Sequence, residues 1–233
     1  MNPDILFEDR DIIVCHKPAG VPTQSKHVGT PDMISILINY IHKSSLEKGR
    51  PYLAVIHRLD QPVEGLLVFA RTPAAARELN KQLTEYGFGK HYRALLQGVP
   101  VSLEGDLEDY LIKDGRTNVS HVCSDDIPGA KKARLHYKII ETRPPYALAD
   151  IVLETGRHHQ IRVQMAHLGT PIAGDKKYGS TQSLPHSCTG GAPLVFRSLQ
   201  LFACHLTFRH PGTNELMEFH LNTPVDSLEN LHN

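Results

Sequence analysis

Asp60 is the residue whose surroundings ask for a chemical explanation. It sits in "AVIHRLDQPVEGLLVFA", residues 54–70, where two apolar runs are interrupted by one Arg, one Asp and a proline turn. An Asp ahead of such a turn can simply bond nearby backbone N–H groups. At the end of a buried strand a carboxylate has a second use: shielded from water, it can act as a nucleophile or a base. If the backbone is extended through Asp60, residues two apart share a face, so Arg58 and Asp60 point one way and His57 and Leu59 the other. That sets a cation suited to phosphate or base stacking beside a catalytic acid, the plainer alternative being a surface ion pair of small worth.

Three further stretches carry candidate chemistry. In "LETGRHHQIRVQMAHLG" (153–169) a strand is expected to turn at Gly156 into a helix over residues 158–168. Its first turn would hold Arg157, His158 and His159, and unsatisfied N–H groups with Arg157 make an anion site. Arg162, one turn further in, is either a solvated guanidinium on a buried stem or a functional cation. A metal reading is weak: adjacent helical histidines do not face one ligand, there is no His-Glu-x-x-His, and the other histidines are scattered. No metal is therefore expected. Alternation in "KHYRALLQG" (90–98) puts Tyr92, Ala94 and Leu96 on one face. Tyr92 is then a packing residue, or a ring that stacks on a planar base and offers a phenolic oxygen. "PIAGDKKYG" (171–179) places Lys176 and Lys177 in a glycine-bounded turn within reach of a phosphate.

The elements that would position these residues follow from periodicity. Two short strands are expected over residues 5–7 and 12–16, ended by Pro18-Ala19-Gly20. A helix should start with Thr30 as N-cap and Pro31 at its first position, carrying Met33, Ile36, Leu37, Tyr40 and Ile41 inward. A second helix should start at Thr72-Pro73, present Ala76, Leu79 and Leu83 on one side, and stop near Gly87. Downstream, "KHYRALLQGV", "ARLHYKIIET", "YALADIVLE", "LQLFACHLTF" and "LMEFHLN" read as strands, many with the period-two pattern of antiparallel pairing. "GSTQSLPHSCTGGAP" reads as a surface loop. No internal repeat or long linker appears, which suggests one mixed α/β domain over residues 1–233, at most bilobed.

Composition bounds the partners. With 25 basic and 25 acidic residues the formal charge is zero. That argues against a general polyanion coat and leaves a local basic groove open. Four cysteines without a C-x-x-C pair suggest neither a zinc ribbon nor a dithiol redox site. They fit a reduced cytoplasmic protein. The N-terminus lacks a basic segment followed by an apolar core, and no run approaches membrane-spanning length, so no membrane association is expected.

Taken in chain order, "IVCHKPAGVPT", "HRLDQPVEGLLVFAR", "KHYRALLQG", "TGRHHQIRVQMAHLGTPIAGDKKYG" and "CHLTFRHPGTNE" resemble the successive motifs of the RluA-type pseudouridine synthases. The resemblance implies an α/β (α+β) fold with a mixed, mainly antiparallel central sheet flanked by helices and a central RNA-binding cleft. It implies a cofactor-free, monomeric enzyme that isomerises uridines in ribosomal or transfer RNA. By position Asp60 matches the catalytic aspartate and Arg58 the arginine that enters the RNA stack as the target base leaves. Tyr92 matches the tyrosine that stacks on that base, and Arg162 the basic residue that pairs with the aspartate. Arg157 and Gln160 belong to the same motif as Arg162, and are grouped with Lys176 and Lys177 as RNA contacts. Val63-Glu64 departs from the Thr-Ser often found there, which bears on loop shape and substrate fit. The chain opens at the first catalytic motif, so no separate N-terminal RNA-binding domain is expected.

The implied reaction breaks C1′–N1, rotates the uracil and joins C1′ to C5, without redox change. Many glycosidases need two carboxylates, but uracil spreads its charge over two carbonyls, so one can suffice. Leu59, Leu66 and Leu67 would help exclude water, which would otherwise let the detached base escape. Extruding a uridine costs about a few kcal/mol, which an inserted Arg58 offsets. Pairing with Arg162 would keep Asp60 ionised. Two rivals are a non-catalytic RNA-binding protein on the same fold, and a nucleoside or glycoside hydrolase using Asp60 with Glu64.

Overall fold

In the computed structural model residues 2–25, 27, 29–44, 49–85, 88–179 and 196–228 are described. In chain order they form β1 (Asp4–Glu8), β2 (Ile12–Lys17), α1 (Met33–Ser44), β3 (Ala54–Val55), β4 (Glu64–Ala70), α2 (Pro73–Thr84) and β5 (Gly89–Gln97). There follow β6 (Glu104–Asp114), β7 (Val119–Cys123), β8 (Lys131–Arg143), β9 (Tyr146–Leu153), α3 (Gln160–His167), β10 (Leu201–Arg209) and β11 (Leu216–His220). The chain divides into two compact units, Met1–Lys90 with Phe202–Asn222, and His91–Leu201 with Thr223–Asn233.

In the first unit the strands run in the order β1-β2-β4-β10, with β11 on β10 and β3 on β4. Only the β4–β10 pair is parallel; the others are antiparallel, so this sheet is mixed. Continuous apolar runs explain why β2 and β4 are central: Ile12 to Cys15 and Leu67 to Ala70 are fully buried, as strands covered on both faces must be. Ala75, Ala76 and Leu79 of α2 pack on one face with Ile12, Val14, Val68, Leu206 and Phe208. The hydroxyl of Thr72 accepts the Ala75 N–H at 3.1 Å, which caps α2 as its sequence suggests. The helix ends at Thr84; the expected stop at Gly87 lies outside the described residues.

Two local expectations are corrected here. Thr30 does not cap α1. Asp32 does, accepting the Ser35 N–H at 2.7 Å while the Ser35 hydroxyl accepts the Asp32 N–H at 3.0 Å, a reciprocal capping box that Thr30-Pro31 cannot match. More importantly, the first run of "AVIHRLDQPVEGLLVFA" is not a strand as far as Asp60. It ends at Val55, and residues 56–63 are irregular. The argument that extended backbone puts Arg58 and Asp60 on one face therefore does not apply.

In the second unit the order is β5-β9-β8-β6-β7, antiparallel throughout. The β6–β7 hairpin was not anticipated, because β6 has few apolar residues. On its other side β6 is held to β8 by cross-strand charge: Glu104 opposes Lys138, Asp106 opposes His136 and Glu108 opposes Arg134. α3 lies against β6 and β7 and begins at Gln160, later than expected. His159 is the reason: its left-handed backbone (φ 55°) keeps residues 157–159 in a turn ahead of the helix. Most of the loop expected over residues 179–193 lies outside the described residues. No described helix is long and apolar enough to cross a membrane.

Candidate active site

Asp60 stands on a loop whose backbone is pinned residue by residue to the segment after β2. The Thr23 hydroxyl donates to the Leu59 carbonyl at 3.0 Å and accepts the Leu59 N–H at 3.1 Å. Gly20 N–H donates to the Gln61 carbonyl at 2.8 Å, and the Gln61 amide returns a bond to Gly20 O. Val63 N–H closes the proline turn onto Asp60 O at 3.0 Å. Ile56, Leu59 and Val63 anchor this loop in the interior, Asp60 is half-buried, and Arg58 is exposed. Such a loop fixes the backbone on both sides of Asp60.

Lys17, which sequence reasoning missed, is central to this clamp. It is fully buried, and its ammonium donates to Pro18 O (3.0 Å), Val21 O (2.7 Å) and Gln61 O (3.1 Å), one acceptor for each of its three protons. Burial pulls its pKa down to about 8, while the negative charges of Asp60 and Glu64 act the other way. At neutral pH it remains mainly a cation, placed beneath the Asp60 turn. A lysine ending an inward-facing strand was the available signal. His57 is held neutral: burial, then the charge of Lys90, push its pKa down to about 3. Its Nε2 accepts the Val68 N–H at 3.4 Å on an edge of β4 that neither β3 nor β10 reaches. Val63 is buried, and Glu64 accepts from His16 Nε2 at 3.0 Å, so the departure from the family pattern is absorbed into strand packing.

In the second unit Arg162 is not a solvated residue. Its side chain is 5% exposed, and Nε and Nη2 donate to Asp175 Oδ2 and Oδ1, both at 2.7 Å. This is a bidentate pair of the strong kind. The ring of Tyr178 lies 5.1 Å from the guanidinium carbon. Asp175 also accepts the N–H groups of Lys177 (2.9 Å) and Tyr178 (3.2 Å). Burial opposes its ionisation, but Arg162 and these N–H groups outweigh that and hold the carboxyl below its usual range. The Tyr178 oxygen accepts the Ser120 N–H at 2.8 Å and lies 2.7 Å from His159 Nδ1. Burial, then Arg162 and Lys177, push His159 down to about 3, so its ring is neutral and can accept the tyrosine proton.

The chemistry of "PIAGDKKYG" thus resides in Asp175 more than in its lysines. The turn is shaped around that residue: a Cβ at Gly174 (φ +76°) would lie 2.0 Å from Ser198 O, and one at Gly179 2.3 Å from Asp175 O. A carboxylate between two glycines, thirteen positions after Arg162, was the overlooked signal. Lys176 and Lys177 are exposed, and Lys177 Nζ donates to Asn118 O at 2.7 Å.

Of the remaining expected residues, Arg157 is exposed and donates through Nε to Lys132 O at 2.8 Å. Gln160 is not exposed as an RNA contact should be. It is 3% exposed, and its amide makes four bonds: to Arg134 O and Gln164 Oε1, and from Thr155 Oγ1 and Arg157 N–H. This uses its full capacity, so Gln160 positions the turn before α3. Tyr92 lies on β5 opposite Ile151 and is 7% exposed. Metal-ligating side chains do converge at one place among the described residues, His205, Glu218 and His220 on β10 and β11. Antiparallel pairing, invisible in the linear spacing, brings them together.

The family model described as RNA pseudouridylate synthase matches residues 11–167. A Bacillus subtilis (strain 168) protein named as an uncharacterized RNA pseudouridine synthase, YlyB, is 31% identical over 100% of this chain and 73% of its own length. The ribosomal large subunit pseudouridine synthase D of Vibrio cholerae is 33% identical over 97% of this chain and 69% of its own. In fold, the chain is similar to human RNA Pseudouridylate Synthase Domain Containing 4, with a TM-score of 0.77, 22% identity, and coverage of 98% of this chain and 92% of the other. Matched over two thirds of its length by the family model and along its whole length by these relatives, the chain belongs to the RNA pseudouridylate synthases, in their RluA-type branch.

Proposed function

We propose that Asp60 is the catalytic carboxylate of this RNA pseudouridine synthase and that its substrate is large-subunit ribosomal RNA. The observation that carries the first part is the aspartate loop itself. The backbone on either side of the half-buried Asp60 is clamped by Thr23, Gly20 and Lys17 through Leu59 and Gln61, with apolar anchors flanking it. A group that must meet a sugar carbon in one geometry gains from being held before the substrate arrives. The names of the relatives support the second part.

Isomerisation requires that C1′–N1 break, that the uracil turn, and that C1′–C5 form; N1 gains a proton and C5 loses one. A carboxylate serves the first step by adding to C1′ or by taking the C2′ proton. Tyr92 is assigned to stacking on the uracil, and Arg162 to the basic catalytic role that its motif position implies. Asp175 and Tyr178 hold that guanidinium at one orientation. Arg58, exposed on the same loop, is assigned to the RNA stack, with Arg157, Lys176 and Lys177 as phosphate contacts. The enzyme is taken to act as one domain and a monomer, in the cytoplasm.

Tritium release from RNA labelled at uridine C5 tests the assignment. The native protein should release tritium from ribosomal RNA and Asp60→Asn should not. Equal release by both would remove Asp60 from the chemistry. Release from transfer RNA alone would overturn the ribosomal assignment.

A further inference from the structure

We propose that His205, Glu218 and His220 form a zinc site that clips β10 to β11. His205 and His220 are directly opposed in the antiparallel register, and Glu218, two residues before His220, projects from the same face of β11. The two imidazole rings stack with centroids 4.1 Å apart and planes 12° from parallel. Both Nε2 atoms converge on one carboxylate oxygen, Glu218 Oε1, at 2.9 Å from His205 and 3.2 Å from His220. The three ligand atoms lie within 4.8 Å of one another.

The two separations from Glu218 Oε1, 2.9 and 3.2 Å, are close to what zinc needs. Bonds of about 2.0–2.1 Å to nitrogen and oxygen in a tetrahedron put ligand atoms about 3.3 Å apart. Two imidazoles and one carboxylate are a donor set that zinc accepts, leaving a fourth position for water. Soft thiolate donors are absent from the trio, which disfavours copper(I), and imidazole donors disfavour magnesium and calcium.

The backbone beneath is rigid. Leu206 and Phe219, the neighbouring pair in the ladder, face the opposite side, where Leu206 is buried and Phe219 packs on the core of the first unit. Leu221 N–H donates to Cys204 O at 2.8 Å beyond the trio. At the other end, His210 N–H donates to Glu215 O at 2.8 Å, and His210 Nε2 lies 2.8 Å from Asp9 Oδ2, fastening the hairpin turn to the loop after β1. Binding therefore asks only side-chain adjustments of residues already in place. Glu218 and His220 are exposed and His205 half-buried, which leaves an entry path for the ion.

The test uses the untagged full chain, stripped with a chelator and titrated with Zn²⁺ against a chromophoric competitor. One equivalent should bind, each of Glu218→Gln and His220→Ala should weaken it at least about tenfold, and circular dichroism should report an unchanged fold. Zn²⁺ should also raise the thermal midpoint of the native protein and not of the variants. Absence of binding by the native chain would overturn the proposal, as would binding that either variant leaves undiminished, because other histidines would then account for it.

Discussion

Arg162 shows what a single residue can carry in this protein. Breaking the buried bidentate pair of Arg162 with Asp175 is expected to cost about 3–5 kcal/mol. Asp175→Asn is therefore expected to lower unfolding free energy by that amount in urea titrations, while Lys176→Ala, one residue away and exposed, should stay within about 0.5 kcal/mol. A loss for Asp175→Asn no larger than that for Lys176→Ala would show that the pair does not carry the turn. Arg162 was legible in the sequence as a candidate because it sits in a recognisable motif. Its burial was not, because whether a helix is wrapped on all sides depends on what packs over it. Gln160 was misread for the same reason.

At the scale of elements, the first unit depends on two close fits. Gly65 starts the tight approach of β4 to β10: a Cβ there would lie 2.4 Å from Ala203 O, and its φ of +143° suits glycine. Gly65→Ala should cost about 3 kcal/mol or more through overpacking and strain. Urea titration would measure it, and a cost below about 1 kcal/mol would mean that β10 can retreat freely. Lys17 is the second fit. Lys17→Met would leave the carbonyls of Pro18, Val21 and Gln61 without that donor, at about 1–3 kcal/mol for each one that stays buried and unpaired. As a positioning residue it should affect kcat for tritium release more than KM, since the carboxylate is misplaced while the RNA surface is retained. A change confined to KM would place Lys17 in binding instead. Most strands and both longer helices were readable from period, whereas the β6–β7 hairpin and the Asp32 cap of α1 were not. The Asp60 loop was not, because its partners come from residues 17–23, about forty positions earlier.

For the whole molecule, half-buried His57 and buried His159 contribute to the response to acid. His57 and His159 both have pKa values pushed down to about 3, against about 6.5 in the unfolded chain. Between those values the unfolded state binds more protons, so stability rises with pH through that window; above about 6.5 these two groups add no further pH dependence. Stability should thus fall as pH drops from 6.5 toward 3, by about 1–3 kcal/mol for each histidine at pH 4.5. Asp175, whose carboxyl is held below its usual range, adds to the loss once acid reaches it. Urea titrations at pH 7 and pH 4.5 would check this, and equal stability at the two would contradict it. The sequence by itself determined the family, the mixed and mainly antiparallel fold, and the short list that contains Asp60, Tyr92 and Arg162, because motif order and periodicity are properties of the linear chain. Tertiary structure alone decided that Lys17 lies beneath Asp60, that Asp175 holds Arg162, and that His205 meets His220. Each of these depends on burial or strand register, which bring together residues that the chain keeps far apart.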